Sequence, residues 1–109
     1  MIIEHLLPKS FQWDYVSAER VDGLSGYANI KTQVLGSIKI RQVDYSANYL
    51  ADHWCEKGHL VFVLSGELVL EHKDNTVQSL HKGSVYVVGD GSMAHKAVSH
   101  EGASVLIVD

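Results

Sequence analysis

Apolar residues along this chain arrive in short bursts. Leu60-Val61-Phe62-Val63-Leu64, Leu68-Val69-Leu70, Val85-Tyr86-Val87-Val88 and Val105-Leu106-Ile107-Val108 are separated by glycines, an Asp-Asn pair and a Lys-Gly pair. Runs this short, rich in β-branched residues and bounded by turn formers, predict strands rather than helices. Within residues 37–45, Ile38, Ile40 and Val43 fit a strand whose parity changes once, as a bulge would produce. Residues 60–64, a Ser65-Gly66 turn and residues 67–71 predict a hairpin. Further strands are expected over 77–80, 84–88, 95–99 and 103–108, with turns at Asp74-Asn75, Lys82-Gly83 and Asp90-Gly91. The N-terminal third is less regular: Phe11, Trp13 and Tyr15 alternate as on one strand face, and Gly23, Gly26 and Gly36 then interrupt. Roughly eight to ten short strands with no amphipathic helix predict an all-β fold, a closed or nearly closed antiparallel barrel. The run 60–64 is apolar on both faces. One face fills the barrel, and the other needs cover from the N-terminal segment or a second subunit, so a homodimer is expected.

Composition narrows the function classes. A length of 109 residues predicts a single domain over 1–109. The balance of 46% hydrophobic and 20% charged residues is that of a folded globular chain. The nine Lys and Arg residues are scattered in a chain of net charge −4, which leaves no basic stripe for nucleic acid. One cysteine builds no internal disulfide framework, and Met1-Ile2-Ile3-Glu4-His5 lacks the basic start and long apolar core of a signal peptide. A cytoplasmic location is therefore expected. No apolar run approaches the roughly 20 residues of a membrane span.

The candidate chemistry begins at Asp52-His53-Trp54-Cys55. Residues two apart in a strand share a face about 6.5–7 Å apart, which would place His53 with Cys55 and turn Asp52 and Trp54 the other way. Glu56-Lys57-Gly58 reads as a turn, so His59 should begin the neighbouring strand and approach the pair from the side. His95 joins them if the barrel brings its strand alongside. Imidazole nitrogens and a thiolate together suit a borderline-soft transition metal. The blander alternatives are a buried apolar cysteine and hydrogen-bonded histidines inside the barrel. His5, His72, His81 and His100 fall outside the pattern and are expected at the solvated surface. Trp13, Tyr49, Tyr86 and Met93 are candidates to line a pocket, with ordinary core packing the expectation. No catalytic residue is identified, since the nearby carboxylates Glu56 and Glu67 sit in turn-like positions.

The order His53-x-Cys55, three residues, His59, six residues, Gly66 resembles the first motif of the cupin superfamily, His-x-His, three or four residues, Glu, six residues, Gly. Gly83, then Gly89-Asp90-Gly91 and His95 followed by Ser99, resembles the second. More narrowly, Asp52-His53-Trp54-Cys55 with Lys57-Gly58-His59 is similar to small bacterial cupins named for a DHCW motif. The resemblance runs from about residue 43 to 109. It implies a single-domain cupin-like barrel, a double-stranded β-helix or jelly roll, with its core over about 37–109 and residues 1–36 as N-terminal strands and cover. Carried over residue by residue, it implies four metal ligands. His53 matches the first ligand, Cys55 the second His, His59 the Glu, and His95 the last His, one residue late. Thiolate for imidazole and imidazole for carboxylate soften the site, which favours zinc, with nickel or iron as alternatives. Two functions follow from the resemblance: a metal-dependent enzyme acting on a small organic molecule, or a non-catalytic ligand-binding or sensor barrel with a closed Cys-His₃ site.

Overall fold

Side chains alternate across a strand, so each apolar run must find cover for whichever face it turns inward. The computed structural model describes residues 3–109, and among these it contains nine strands, one turn of 3-10 helix (Trp13–Tyr15) and no α-helix. The strands are β1 (Ala18–Asp22), β2 (Tyr27–Leu35), β3 (Ile38–Tyr45), β4 (Tyr49–Leu50), β5 (His59–His72), β6 (Val77–His81), β7 (Val85–Val88), β8 (His95–Ser99) and β9 (Ala103–Val108). They follow the order β1-β2-β3-β9-β5-β8-β4, with β6 and β7 also paired to β5, and every pairing is antiparallel. The sheet curls into a β-barrel. Val43, Val61, Val63, Leu68, Leu70 and Val105 point into it, and Val105 is fully buried. The core also reaches back before residue 37, because Ala28 of β2 lies in it and Ile30 packs against it.

The expected hairpin at Ser65-Gly66 does not form. Instead β5 runs unbroken for 14 residues. Its first half pairs with β7 and β9, and its second half with β6 and β8. A hairpin would have paired the two halves with each other. What the Ser-Gly step supplies is a bend: the register against β9 shifts between Val63 and Ser65, and Gly66 adopts φ 74°. Such a bulge lets one strand cross from one sheet to the next. Gly66 is also a point of close approach, since a Cβ there would stand 2.2 Å from the Gly102 carbonyl oxygen. Ser99, fully buried, holds the crossing from the other side, donating to the Glu67 carbonyl at 2.8 Å and accepting from the Gly102 amide at 3.1 Å.

Two further expectations are corrected. The bulge expected between Ile40 and Val43 is absent, and β3 pairs with β2 in one continuous register. The parity breaks because the inward position between Ile40 and Val43 is taken by a charged residue, Arg41, which is opposite Ile107 and Thr32 and lines the interior cavity. Phe11, Trp13 and Tyr15 do not share a strand face. Phe11 and Trp13 stack edge to face at 4.9 Å, while Tyr15 is exposed beyond them on the 3-10 turn.

The crossing sets a stability test. Gly36 also has a positive φ, 61°, but nothing within 4 Å of an added Cβ. Gly36→Ala should therefore cost about the 1–2 kcal/mol of a left-handed backbone. Gly66→Ala adds a clash with main chain and should cost distinctly more, read as urea midpoints. Equal midpoints for the two variants would contradict this account of the bend.

Candidate metal centre

Three of the four sequence-predicted ligands come together. Cys55, His59 and His95 place one donor atom each within 4.8 Å of one another. Cys55 is not in a strand; an isolated bridge to the start of β8 positions it, with Cys55 N–H donating to the His95 carbonyl at 2.8 Å and His95 N–H to the Cys55 carbonyl at 2.9 Å. His59 opens β5, as the Glu56-Lys57-Gly58 turn predicts. Its ring stands edge-on to that of His95, with centroids 5.2 Å apart.

His53 lies outside the triangle. Residues 51–58 form bends rather than a strand, so the two-residue spacing does not align His53 with Cys55. Its side chain is 78% exposed, and its Nδ1 sits 2.6 Å from Asp52 Oδ1. That hydrogen bond is the main reason the Asp52 carboxyl lies below its ordinary pKa. Nor do Asp52 and Trp54 turn together to the opposite face, since residues 51–58 form no strand. Asp52 holds His53 at the cavity wall, and the Trp54 ring carries cation–π contacts to the ammonium groups of Lys73 and Lys96, 4.9 and 5.1 Å from its centre.

The protonation pattern of the triangle follows from its neighbours. A carbonyl or an ionised carboxylate only accepts hydrogen bonds. His95 Nδ1 therefore donates to the Met93 carbonyl at 3.0 Å, and His59 Nδ1 donates to Asp109 Oδ2 at 2.9 Å. In both rings the lone pair is left on Nε2. His59 Nε2 stands 3.3 Å from Cys55 Sγ, and His95 Nε2 is buried with no hydrogen-bond partner. Leaving such an atom bare in the interior costs about 1–3 kcal/mol, which a metal would recover. Bonds of about 2.0–2.3 Å to zinc place tetrahedral ligand atoms about 3.3–3.8 Å apart; the Cys55–His59 pair at 3.3 Å already has that spacing, and with all three donors within 4.8 Å a small inward shift completes the fit to a metal ion. Burial pushes the His59 pKa below its ordinary value, against the opposing pull of Asp109.

The triangle forms part of the wall of a cavity of about 200 Å³. Apolar side chains such as Val43, Val61, Leu68 and Leu70 make up most of the rest, with Arg41, Tyr45, Tyr49, Asp52, His53 and Lys96 as polar groups. Tyr45 and Tyr49 stack at 4.8 Å, and burial raises both phenol pKa values, so both stay protonated at neutral pH.

Sequence reasoning missed Arg41, Tyr45 and Asp109. The parity break at Arg41 was the available signal, read as a bulge rather than as an inward cation. His72 is another correction. It is buried, not solvated, with Nδ1 donating to the Thr76 carbonyl at 3.1 Å and Nε2 accepting from the Tyr86 hydroxyl at 2.9 Å.

No family model and no curated protein matches the chain. Solved structures do. The polyketide cyclase RemF from Streptomyces resistomycificus superposes with a TM-score of 0.76 at 20% identity, covering 94% of this chain and 78% of that one. A predicted oxalate decarboxylase from Thermotoga maritima gives 0.73 at 12% identity, covering 92% and 96%. A cupin-2 domain protein from Shewanella frigidimarina gives 0.61 at 19% identity, covering 73% and 78%. At these identities the likeness is one of architecture, and with the curled antiparallel sheet and its site of Cys55, His59 and His95 it establishes that this chain has the cupin fold.

Proposed function

We propose that the protein is a metal-dependent enzyme acting on a small organic molecule, with zinc held by Cys55 Sγ, His59 Nε2 and His95 Nε2. The observation that carries this reading is the buried, unpartnered His95 Nε2 beside two further lone-pair donors on the wall of an apolar-lined cavity. Bound there, the ion would act as a Lewis acid toward a carbonyl or lower the pKa of a water. Three protein ligands leave a coordination position for that purpose, as in catalytic zinc sites. The chain's own groups supply the rest. The apolar walls exclude water and fit the carbon skeleton of a small ligand, while the Tyr45 and Tyr49 hydroxyls can donate hydrogen bonds to its polar atoms. His53, held by Asp52, stands apart from the ligand set, which favours this open site over a closed Cys-His₃ one.

Elemental analysis after purification without a metal-affinity tag tests the assignment. Cys55→Ser and His95→Ala should lose bound metal, while His53→Ala should keep it. Metal loss in His53→Ala, or a wild-type protein that takes up none, would overturn the open site.

Acid stability follows from His59. Its pKa in the folded chain lies below that of the unfolded chain, about 6.5. Below that pH the unfolded chain takes up a proton that the folded one resists, so stability is lost as pH falls from about 6.5. Metal-free protein should melt at progressively lower temperature across this range, and His59→Gln should flatten the dependence. An unchanged slope in the variant would assign the effect elsewhere.

The outer face of β5 and β7 supports a homodimer. Phe62, Leu64, Val85 and Val87 are 37%, 41%, 57% and 67% exposed, and Phe62 is the register partner of Val85. An uncharged apolar face laid on its own copy removes no charge from water and is suited to a two-fold contact. Light scattering should give twice the chain mass, and Val87→Lys should return the monomer. A monomeric wild type at tens of micromolar would exclude it.

A further inference from the structure

The carboxylate of Asp109 occupies an unusual place between two partners. Its side chain is 3% exposed, and a single oxygen, Oδ2, accepts from both Arg41 Nη2 and His59 Nδ1, each at 2.9 Å. Its backbone is clamped to β3 in both directions, with Asp109 N–H donating to the Lys39 carbonyl at 2.9 Å and Lys39 N–H to the Asp109 carbonyl at 2.7 Å. An arginine and an aspartate that serve only each other usually pair as two forks, Nε and Nη2 meeting both oxygens. Here that pairing is given up. Arg41 Nε and Asp109 Oδ1 are both buried without a partner, because Oδ2 is shared with the imidazole instead of matched to the guanidinium.

We propose that Asp109 is the positioning residue of the metal centre: anchored by Arg41, it fixes the ring orientation of His59 and confines its proton to Nδ1, so that Nε2 presents a lone pair beside Cys55. This rests on the metal reading given above. His95 obtains the same tautomer from a neutral backbone carbonyl, whereas His59 has a charged acceptor that also makes its Nε2 more basic. Partners of this kind behind a ligating histidine set both its orientation and its donor strength. The anchoring explains why the charge is sited at an inward position of β3. The guanidinium and the two main-chain bonds to Lys39 hold the carboxylate where its Oδ2 meets the His59 ring.

Two measurements on the full chain test the proposal. In metal-free protein at pH 8, the ring nitrogen shifts of His59 by 15N NMR should report the Nδ1–H tautomer; Asp109→Asn should shift the ring toward a mixture, and Asp109→Glu should retain the wild-type tautomer. Titration with Co(II), followed by its visible absorption, should show affinity weakened about 10–100-fold in Asp109→Asn and a changed ligand-field spectrum, with Asp109→Glu closer to wild type. A Gly36→Ala control, which lowers stability away from the site, should leave cobalt affinity unchanged. A wild-type His59 protonated on Nε2 overturns the proposal without any variant, and so does an Asp109→Asn protein with unaltered tautomer and cobalt affinity. If wild-type protein binds no Co(II), Zn(II) or Fe(II) while His59 keeps its Nδ1–H tautomer, the metal reading fails and takes the proposed role with it.

Discussion

The barrel depends on the passage of β5 across Gly66. At that point two backbones come so close that no side chain fits between them, and the strand changes partners from β7 and β9 to β6 and β8. Antiparallel strands of ordinary twist do not turn a corner unaided; a bulge and a residue free to adopt positive φ are the usual means. Ser99 completes the corner by satisfying one carbonyl and one amide that the bend removes from the ladder. Because β5 begins with His59 and ends at His72, opposite His95, this single strand spans the barrel and relates both imidazoles of the site to one frame.

Within that frame the site is held mostly by backbone. Cys55 is fixed by a reciprocal pair of main-chain hydrogen bonds to His95 and not by a strand of its own. Each histidine is oriented by an acceptor on Nδ1, one a carbonyl and one a carboxylate. The thiol and both Nε2 atoms thereby converge without any of the three being placed by a long flexible side chain. Pre-set donors of this kind lose little freedom on taking up an ion, which favours binding.

Much of this was legible in the residues. Strand positions from β6 to β9 follow from alternation and turn formers, and His59 was placed at the head of its strand by the Glu56-Lys57-Gly58 turn. What escaped reading has identifiable physical causes. Ser65-Gly66 has the composition of a hairpin turn, and only the partners of the flanking runs distinguish a turn from a strand that bends. The two-residue spacing of His53 and Cys55 implies a common face only within a strand, and residues 51–58 form none. Arg41 looked like a break in an apolar pattern because its partner, Asp109, lies 68 positions away. Long-range ion pairs leave no local periodicity.

The contribution of Asp109 ties the ligand set to β9. Cys55 and His59 are near neighbours in sequence, yet the carboxylate behind His59 arrives only when β9 has inserted between β3 and β5. Until then the His59 imidazole lacks the acceptor that selects its tautomer, although Cys55 has its backbone partner in His95. Insertion of β9 and the orientation of His59 are thus linked. A partly folded chain would hold its histidines and its cysteine without the arrangement that makes them a site, so tight metal uptake would report a completed barrel.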